Sequence, residues 1–358
     1  MRLTFADGVV AGRGPSLACP AVFEPDQTPA EARELLGKRI RQLGLTIEGS
    51  PVERFVTQLH RELERKRLRR FRPQCYLTDE WGCPDGEPVI GIPFYLADPR
   101  LAALEKALND LESAREIMMY MRHEAGHAFN YAYRLHRTPE WRKLFGSFLR
   151  PYRDRYRPVP FSRKFVRHIE GWYAQKHPDE DFAETFAVWL TPRSDWRRRY
   201  KSWPALRKLR YVDRVARALR DRDPLVPNGA FDLTVNQMKL TVEQFFRRSL
   251  RKDGAAVNVS LEGDLAGFFS RPGRRRTGVR PAADLVEELR PLLTDKITYW
   301  TGVKRAVVRA LVQRMARTCR DMNLVAESGR EQQYVAELTA YGTSLAMNYL
   351  TRGKFFHG

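Results

Sequence analysis

The segment His123-Glu124-Ala125-Gly126-His127 constrains this chain more than any other. On an α-helix, residues four apart lie about 40° apart around the axis, so both imidazoles face one side and can share one metal ion. Glu124 follows the first histidine, about 100° around, where its carboxylate reaches a water on that metal. Zinc brings the pKa of such a water to about 7, and the carboxylate takes the proton as hydroxide attacks a carbonyl. Gly126 weakens the helix by up to about 1 kcal/mol relative to Ala, and it lets another chain approach closely. The motif therefore needs a helix, and the surrounding pattern predicts one from about Ser113 to Leu135. Taken alone, it also fits a buried amphipathic helix that happens to carry two histidines.

A zinc site needs a third protein ligand. A third histidine further along the same helix is excluded, because Asn130 and Tyr133 occupy the positions where the metzincin pattern has Gly and His. The better source is the helix opened by His177-Pro178-Asp179, which stops near Pro192. Glu180 and Glu184 lie at i and i+4 on one face, flanked by Ala183 and Ala187, which allow close packing. Phe182, Phe186 and Leu190 form an apolar stripe beside them. Two carboxylates next to buried aromatics are costly without a partner, and a metal and a metal-bound histidine would serve. Asp179 and Asp181 are otherwise accounted for as acids that complement a helix N-terminus.

The arrangement resembles the thermolysin-like clan of zincins, the gluzincins. The resemblance implies that Glu180 is the third zinc ligand and that Glu184 accepts from the far nitrogen of His123. It departs from thermolysin in having Glu rather than Asp at 184 and a longer separation between the two helices. Asp181, or His177 as in zincins with three histidines, stays open as the ligand. Some gluzincins place a tyrosine seven residues before this ligand, as Tyr173 stands here, and its hydroxyl donates to a developing oxyanion. Tyr173 reads equally as an aromatic core residue. More narrowly, Tyr76 to Trp81, Ile92 to Leu96, Arg122 to His127 and Tyr173 to Leu190 resemble a bacterial family of zinc-binding metallopeptidases over about residues 35 to 215. That resemblance implies a zincin fold and peptidase activity with one zinc ion.

Around these motifs the chain organises as α+β: a zincin-like core with a small mixed sheet and active-site helices, then a mostly helical extension. Residues 1–27 are rich in Gly, Pro and Ala and read as a loose arm; 28–205 form the catalytic domain; 206–358 are basic and mainly helical. Helix starts are signalled at Thr28-Pro29-Ala30-Glu31 and Ser50-Pro51-Val52-Glu53. Gln74 to Thr78 and Val89 to Tyr95 read as strands joined by a turn or loop. The second is the candidate edge strand beside a peptide-binding cleft, because Pro93 cannot donate to an inner ladder, and it reads nearly as well as an ordinary core strand. Segment 136 to 176 reads as loops with short helices, and 272 to 278 as an exposed loop.

The formal net charge of the 358 residues is +20, with denser basic runs at Arg65 to Arg72, Arg197 to Lys201 and Arg271 to Arg280. Such an excess attracts polyanions at low salt, but no aromatic-interleaved nucleic-acid motif accompanies it, and a solvated arginine-rich surface is the preferred account. No stretch approaches the roughly 20 apolar residues of a membrane span, and the first residues lack a secretory pattern, so the expected location is the cytoplasm. Cys19, Cys75, Cys83 and Cys319 are spaced neither as a zinc ribbon nor as a disulfide framework and read as reduced packing thiols. The leading expectation is a zinc metallopeptidase acting on peptides or proteins: His123, His127 and Glu180 hold zinc, Glu124 is general base and Tyr173 assists the oxyanion. Two others stand beside it. One is an SprT-like protease acting on nucleic-acid-bound proteins; the other is a non-catalytic zinc-binding interaction module.

Overall fold

The computed structural model describes residues 30–108, 111–153, 156, 158–159, 161–254, 257, 259–271, 278–303, 305–352 and 355. The expected N-terminal arm and most of the 272–278 loop lie outside them, as does Cys19. Chain contacts separate two compact units, which divide between Arg247 and Arg248. The first begins with a short helix α1 (Ala30–Arg33), then α2 (Glu53–Arg65), strands β1 (Gln74–Thr78) and β2 (Val89–Pro93), α3 (Pro99–Leu108), α4 (Ala114–Ala132) and α5 (Pro139–Phe145). It continues with α6 (Pro178–Leu190), α7 (Trp196–Arg199), α8 (Leu206–Leu219) and the start of α9 (Val242–Gly254). The protein is thus α+β with a helical bulk. The segment 206–247, grouped by composition with the C-terminal region, is part of this first unit, and α8 packs on α6.

Local chemistry sets the two helices that matter most. Ser113 caps α4 in a reciprocal box: its hydroxyl accepts from Glu116 N at 3.3 Å, and the Glu116 carboxylate accepts from Ser113 N at 2.8 Å. Helix α6 has Pro178 at its first position and His177 as its cap, whose Nδ1 accepts from Asp179 N at 3.2 Å. The two helices meet at Gly126. A Cβ there would lie 2.7 Å from Ala183 Cα and 2.9 Å from Ala183 O, so only glycine permits the approach. Phe129 stacks on Phe186 beside this contact, with centroids 5.0 Å apart. Helix α2 buries Phe55, Leu59 and Leu63. It is tied to α4 by a two-pronged pair in which Arg122 Nε and Nη2 donate to Glu62 at 2.7 and 2.8 Å.

β1 and β2 run parallel, with Tyr76 opposite Gly91, so the 79–88 connection is a crossover. β2 has β1 as its one strand neighbour among the described residues, but all five of its residues are buried and Gly91 N donates to Gly82 O at 2.7 Å on its other side. The strand stops at Pro93, short of the expected Tyr95, and Phe94–Ala97 forms a 3-10 turn. Pro93 sits at the end of the strand, where a missing donor costs little. Cys75, Cys83 and Cys319 are free thiols.

The second unit contains α10 (Glu262–Phe268), β3 (Val279–Pro281), α11 (Ala282–Thr301), α12 (Arg305–Asp321), β4 (Val325–Glu327) and α13 (Glu331–Arg352). β3 and β4 pair antiparallel. Its core holds Val307, Leu311 and Met315 of α12, with Leu293 and Ile297 of α11 and Leu338 and Leu345 of α13. A Cβ at Gly342 would run into Ile297 Cδ1, so the glycine lets α13 lie close to α11. No helix among the described residues is long and apolar enough to cross a membrane.

Candidate metal centre

Helix α6 is buried at every one of its residues, including four acids: Asp179, Glu180, Asp181 and Glu184 are each at most 2% exposed. Buried carboxylates must be paired. Helix α4 supplies partners for three of them. Glu184 takes His123 Nδ1–H at 2.9 Å and also accepts from Ile169 N at 2.9 Å. Asp179 takes His127 Nδ1–H at 2.7 Å, Asn130 Nδ2–H at 2.6 Å and the Tyr131 hydroxyl at 2.5 Å. Glu180 faces the remaining nitrogens, with Oε2 at 3.0 Å from His123 Nε2 and 3.2 Å from His127 Nε2.

The two Nδ1 contacts decide the tautomers. A carboxylate can only accept, so each Nδ1 carries the proton and each neutral ring leaves its Nε2 with a bare lone pair. Those two lone pairs face each other at 3.1 Å, with the Glu180 oxygen as the third corner. Three acceptors at such separations repel unless a cation lies among them. When the site holds no metal, that cation is a proton. Burial disfavours a charged His127, but Asp179 and Glu180 outweigh it and bring its pKa up to about 9. His123, likewise opposed by burial, is held well above the ordinary range by Glu180 and Glu184. Burial would raise Glu180, yet the two histidines hold it well below the ordinary carboxylate range.

The same three atoms suit a metal. Ligand atoms about 2.0–2.1 Å from a tetrahedral ion stand about 3.3 Å from one another, close to the 3.0, 3.1 and 3.2 Å found here. Two imidazoles and one carboxylate form a zinc-type donor set. His123, His127 and Glu180 are together a buried group able to hold a metal ion.

Glu124 lies beside this triangle, 3% exposed and without a hydrogen-bond partner among the described residues. Burial raises its pKa, and His123 and His127 partly offset that. Tyr173 is presented by Gly171 and Trp172, both in the left-handed region at φ 86° and 50°. Its hydroxyl donates to Glu180 Oε1 at 3.3 Å, so it stands behind the Glu180 carboxylate. Asp181 and His177 face elsewhere. Asp181 accepts from Lys208 Nζ of α8 at 2.5 Å, with burial pushing its pKa up to about 7 despite the lysine. His177 is committed to the α6 cap and donates from Nε2 to Arg150 O at 2.7 Å.

Four side chains of the site are not singled out by the sequence pattern. Asp179, assigned there to the helix N-terminus, is the acceptor for His127. Asn130 and Tyr131, one turn after His127, hold Asp179 in place, and their i+3 and i+4 spacing was the available signal. Tyr152 donates to Glu180 Oε1 at 2.5 Å from a segment whose irregular Pro, Arg and aromatic pattern carries no such signal.

Two helices crossing at a glycine, with a buried His-His-Glu group and each histidine backed by a carboxylate, define the class of site: a group able to hold a metal ion, set between paired helices. Residues 89–198 match the model of the family described as "Putative zinc-binding metallo-peptidase", and over that stretch the chain fits the family. No curated protein and no solved structure gives a significant match.

Proposed function

We propose that this protein is a zinc-dependent peptidase whose centre is built on a zincin-like pairing of α4 and α6. The observation that carries the reading is the triangle of His123 Nε2, His127 Nε2 and Glu180 Oε2, with the unpartnered carboxylate of Glu124 beside it. One zinc ion in that set supplies Lewis acidity, polarising a carbonyl and bringing the acidity of water near neutral pH.

The chain's own residues do the rest. Glu184 and Asp179 keep the Nδ1 protons in place and so keep both Nε2 atoms available as donors of a lone pair. Tyr152 and Tyr173 hold Oε1 of Glu180, which leaves Oε2 as the atom facing the histidines. Glu124 is the proton acceptor. Its raised pKa suits a group that takes a proton from water and passes it to the leaving amine. Tyr173 serves first to orient Glu180, and donates to a developing oxyanion only if its hydroxyl swings away from that carboxylate.

Metal analysis of the purified protein, with peptide-library cleavage by wild type and Glu124→Gln, tests this. The expected result is about one zinc per chain in both proteins, with cleavage only in wild type. Absence of zinc from both, or equal cleavage, overturns it. Zinc in both with no cleavage by either favours a non-catalytic zinc module.

A further inference from the structure

A second feature lies near the other end of α6. Eleven residues separate Glu180 from Thr191, which is about 16 Å along a helix axis, so the region is outside the metal centre. There, Lys66, Arg193, Asp195, Trp196 and Arg197 help line an open cleft of about 330 Å³. Two of the three basic runs of the sequence converge here: Lys66 belongs to the first and Arg197 to the second. They are far apart in the chain, and the fold brings them to one wall.

The charges are arranged rather than scattered. Lys66 ends α2 and lies over the Trp189 ring, 4.5 Å from its centroid, and has no carboxylate partner among the described residues. Burial lowers its pKa, Asp213 raises it and Arg197 lowers it further, as expected of an ammonium beside another cation. Arg197 lies over Trp196 at 4.1 Å and is anchored through Nη2 to Asp213 at 2.7 Å. That same Asp213 accepts from Trp189 Nε1 at 3.0 Å and pairs with Arg217 at 3.0 Å, so one carboxylate fixes two guanidiniums. Asp195, the only acid of the lining, is turned to Arg198, whose Nε donates to it at 2.5 Å. Arg193 is exposed.

We infer that this cleft binds a phosphate group, with Lys66, Arg193 and Arg197 as its cations. The two tryptophans beneath the cations are 2% and 5% exposed, so neither offers a face for base stacking. Contact is therefore with phosphate and independent of base sequence. The phosphate can come from a nucleic-acid backbone or from a free diphosphate. The inference is independent of the peptidase reading and is tested without any cleavage assay.

The experiment compares wild type with Lys66→Gln/Arg193→Gln. A second double variant, Arg115→Gln/Arg137→Gln, removes two exposed charges outside the cleft. Binding of a labelled 20-base-pair duplex is followed by anisotropy from 50 to 200 mM salt, with pyrophosphate as competitor. The cleft variant should bind at least tenfold more weakly at 100 mM salt, and its log–log salt slope should be shallower by about 1.8, the value for two lost phosphate contacts. The distal variant should stay within about twofold of wild type. Pyrophosphate that displaces duplex from wild type with micromolar potency assigns a diphosphate ligand; weak, non-specific displacement assigns the backbone. Should Lys66→Gln fail to fold, Arg193→Gln alone is expected to lose about half of the slope change. Equal weakening by the two double variants, or no binding of either anion at 50 mM salt, overturns the inference.

Discussion

At the scale of residues, the centre rests on which atoms can donate and which can only accept. Replacing Glu124 by Gln keeps volume and burial but removes the proton acceptor, so cleavage should fall by about 10²–10⁴-fold while zinc content stays unchanged. Asp179→Asn and Glu184→Gln act differently. Each carboxylate accepts through both oxygens, whereas an amide has one acceptor oxygen. Its NH2 must then face a donor, either the histidine Nδ1–H or the second partner, which weakens the hold on the Nδ1–H tautomer. Zinc affinity, measured by competition with a chelating dye, should fall by about 10–100-fold for each. An unchanged affinity would remove the tautomer argument. His123, Glu124 and His127 were legible in the sequence because helix geometry ties their spacing to one side of an axis. Glu180 and Glu184 were legible because two acids on a small-residue face need a reason to be buried. Asp179 was not, because an acid at a helix N-terminus already has an ordinary explanation, and its burial beside His127 emerges only from the crossing of two helices. Tyr152 was not, because irregular chain carries no periodicity from which a direction can be read.

At the scale of elements, the helix pair depends on the absence of one methyl group. Gly126→Ala favours the isolated helix by up to about 1 kcal/mol. It also places a carbon within 2.7–2.9 Å of Ala183 backbone atoms, which must move. Overpacking of this kind costs about 1–3 kcal/mol, so the net change should be destabilising. The displacement also widens the triangle of ligand atoms. Lower melting temperature together with weaker zinc binding is expected, and a variant as stable as wild type would mean that the helices separate freely. The sequence reading anticipated close packing at Ala183 and Ala187, and the structure places Gly126 opposite. β1 spans the expected residues and β2 ends two residues short of Tyr95, while the direction of their pairing carries no signal in the sequence. Alternation and β-branched content locate a strand, whereas its direction relative to a neighbour is set by where the intervening chain travels, here back across β2 through Gly82.

At the scale of the whole molecule, protons and metal compete for the same three atoms. In the metal-free protein His127 has a pKa of about 9, above the usual value near 6.5. A raised folded-state pKa contributes stability that is fully present below about 6.5 and is lost as pH rises through about 9. Metal affinity moves the opposite way, since the ligands must be deprotonated to bind. The difference in melting temperature between zinc-loaded and chelator-treated protein should therefore widen from pH 6.5 to 9. Scanning fluorimetry across that range checks it, and a constant difference would show that the histidines are already neutral. The division between Arg247 and Arg248 was not legible, because 206–247 resembles the following chain in composition while its contacts lie with the preceding helices.

Helix α6 has no solvent face at any of its residues. Most surface helices record their orientation in the substitutions they accept, with tolerance rising and falling every three or four positions, as α2 should show through its exposed Glu53, Arg54 and Glu64. A deep mutational profile of α6 should lack that rhythm and stay intolerant from Pro178 to Leu190. The helix that carries Glu180 is thus also the stretch least free to drift, whatever substrate the surrounding surface comes to accept.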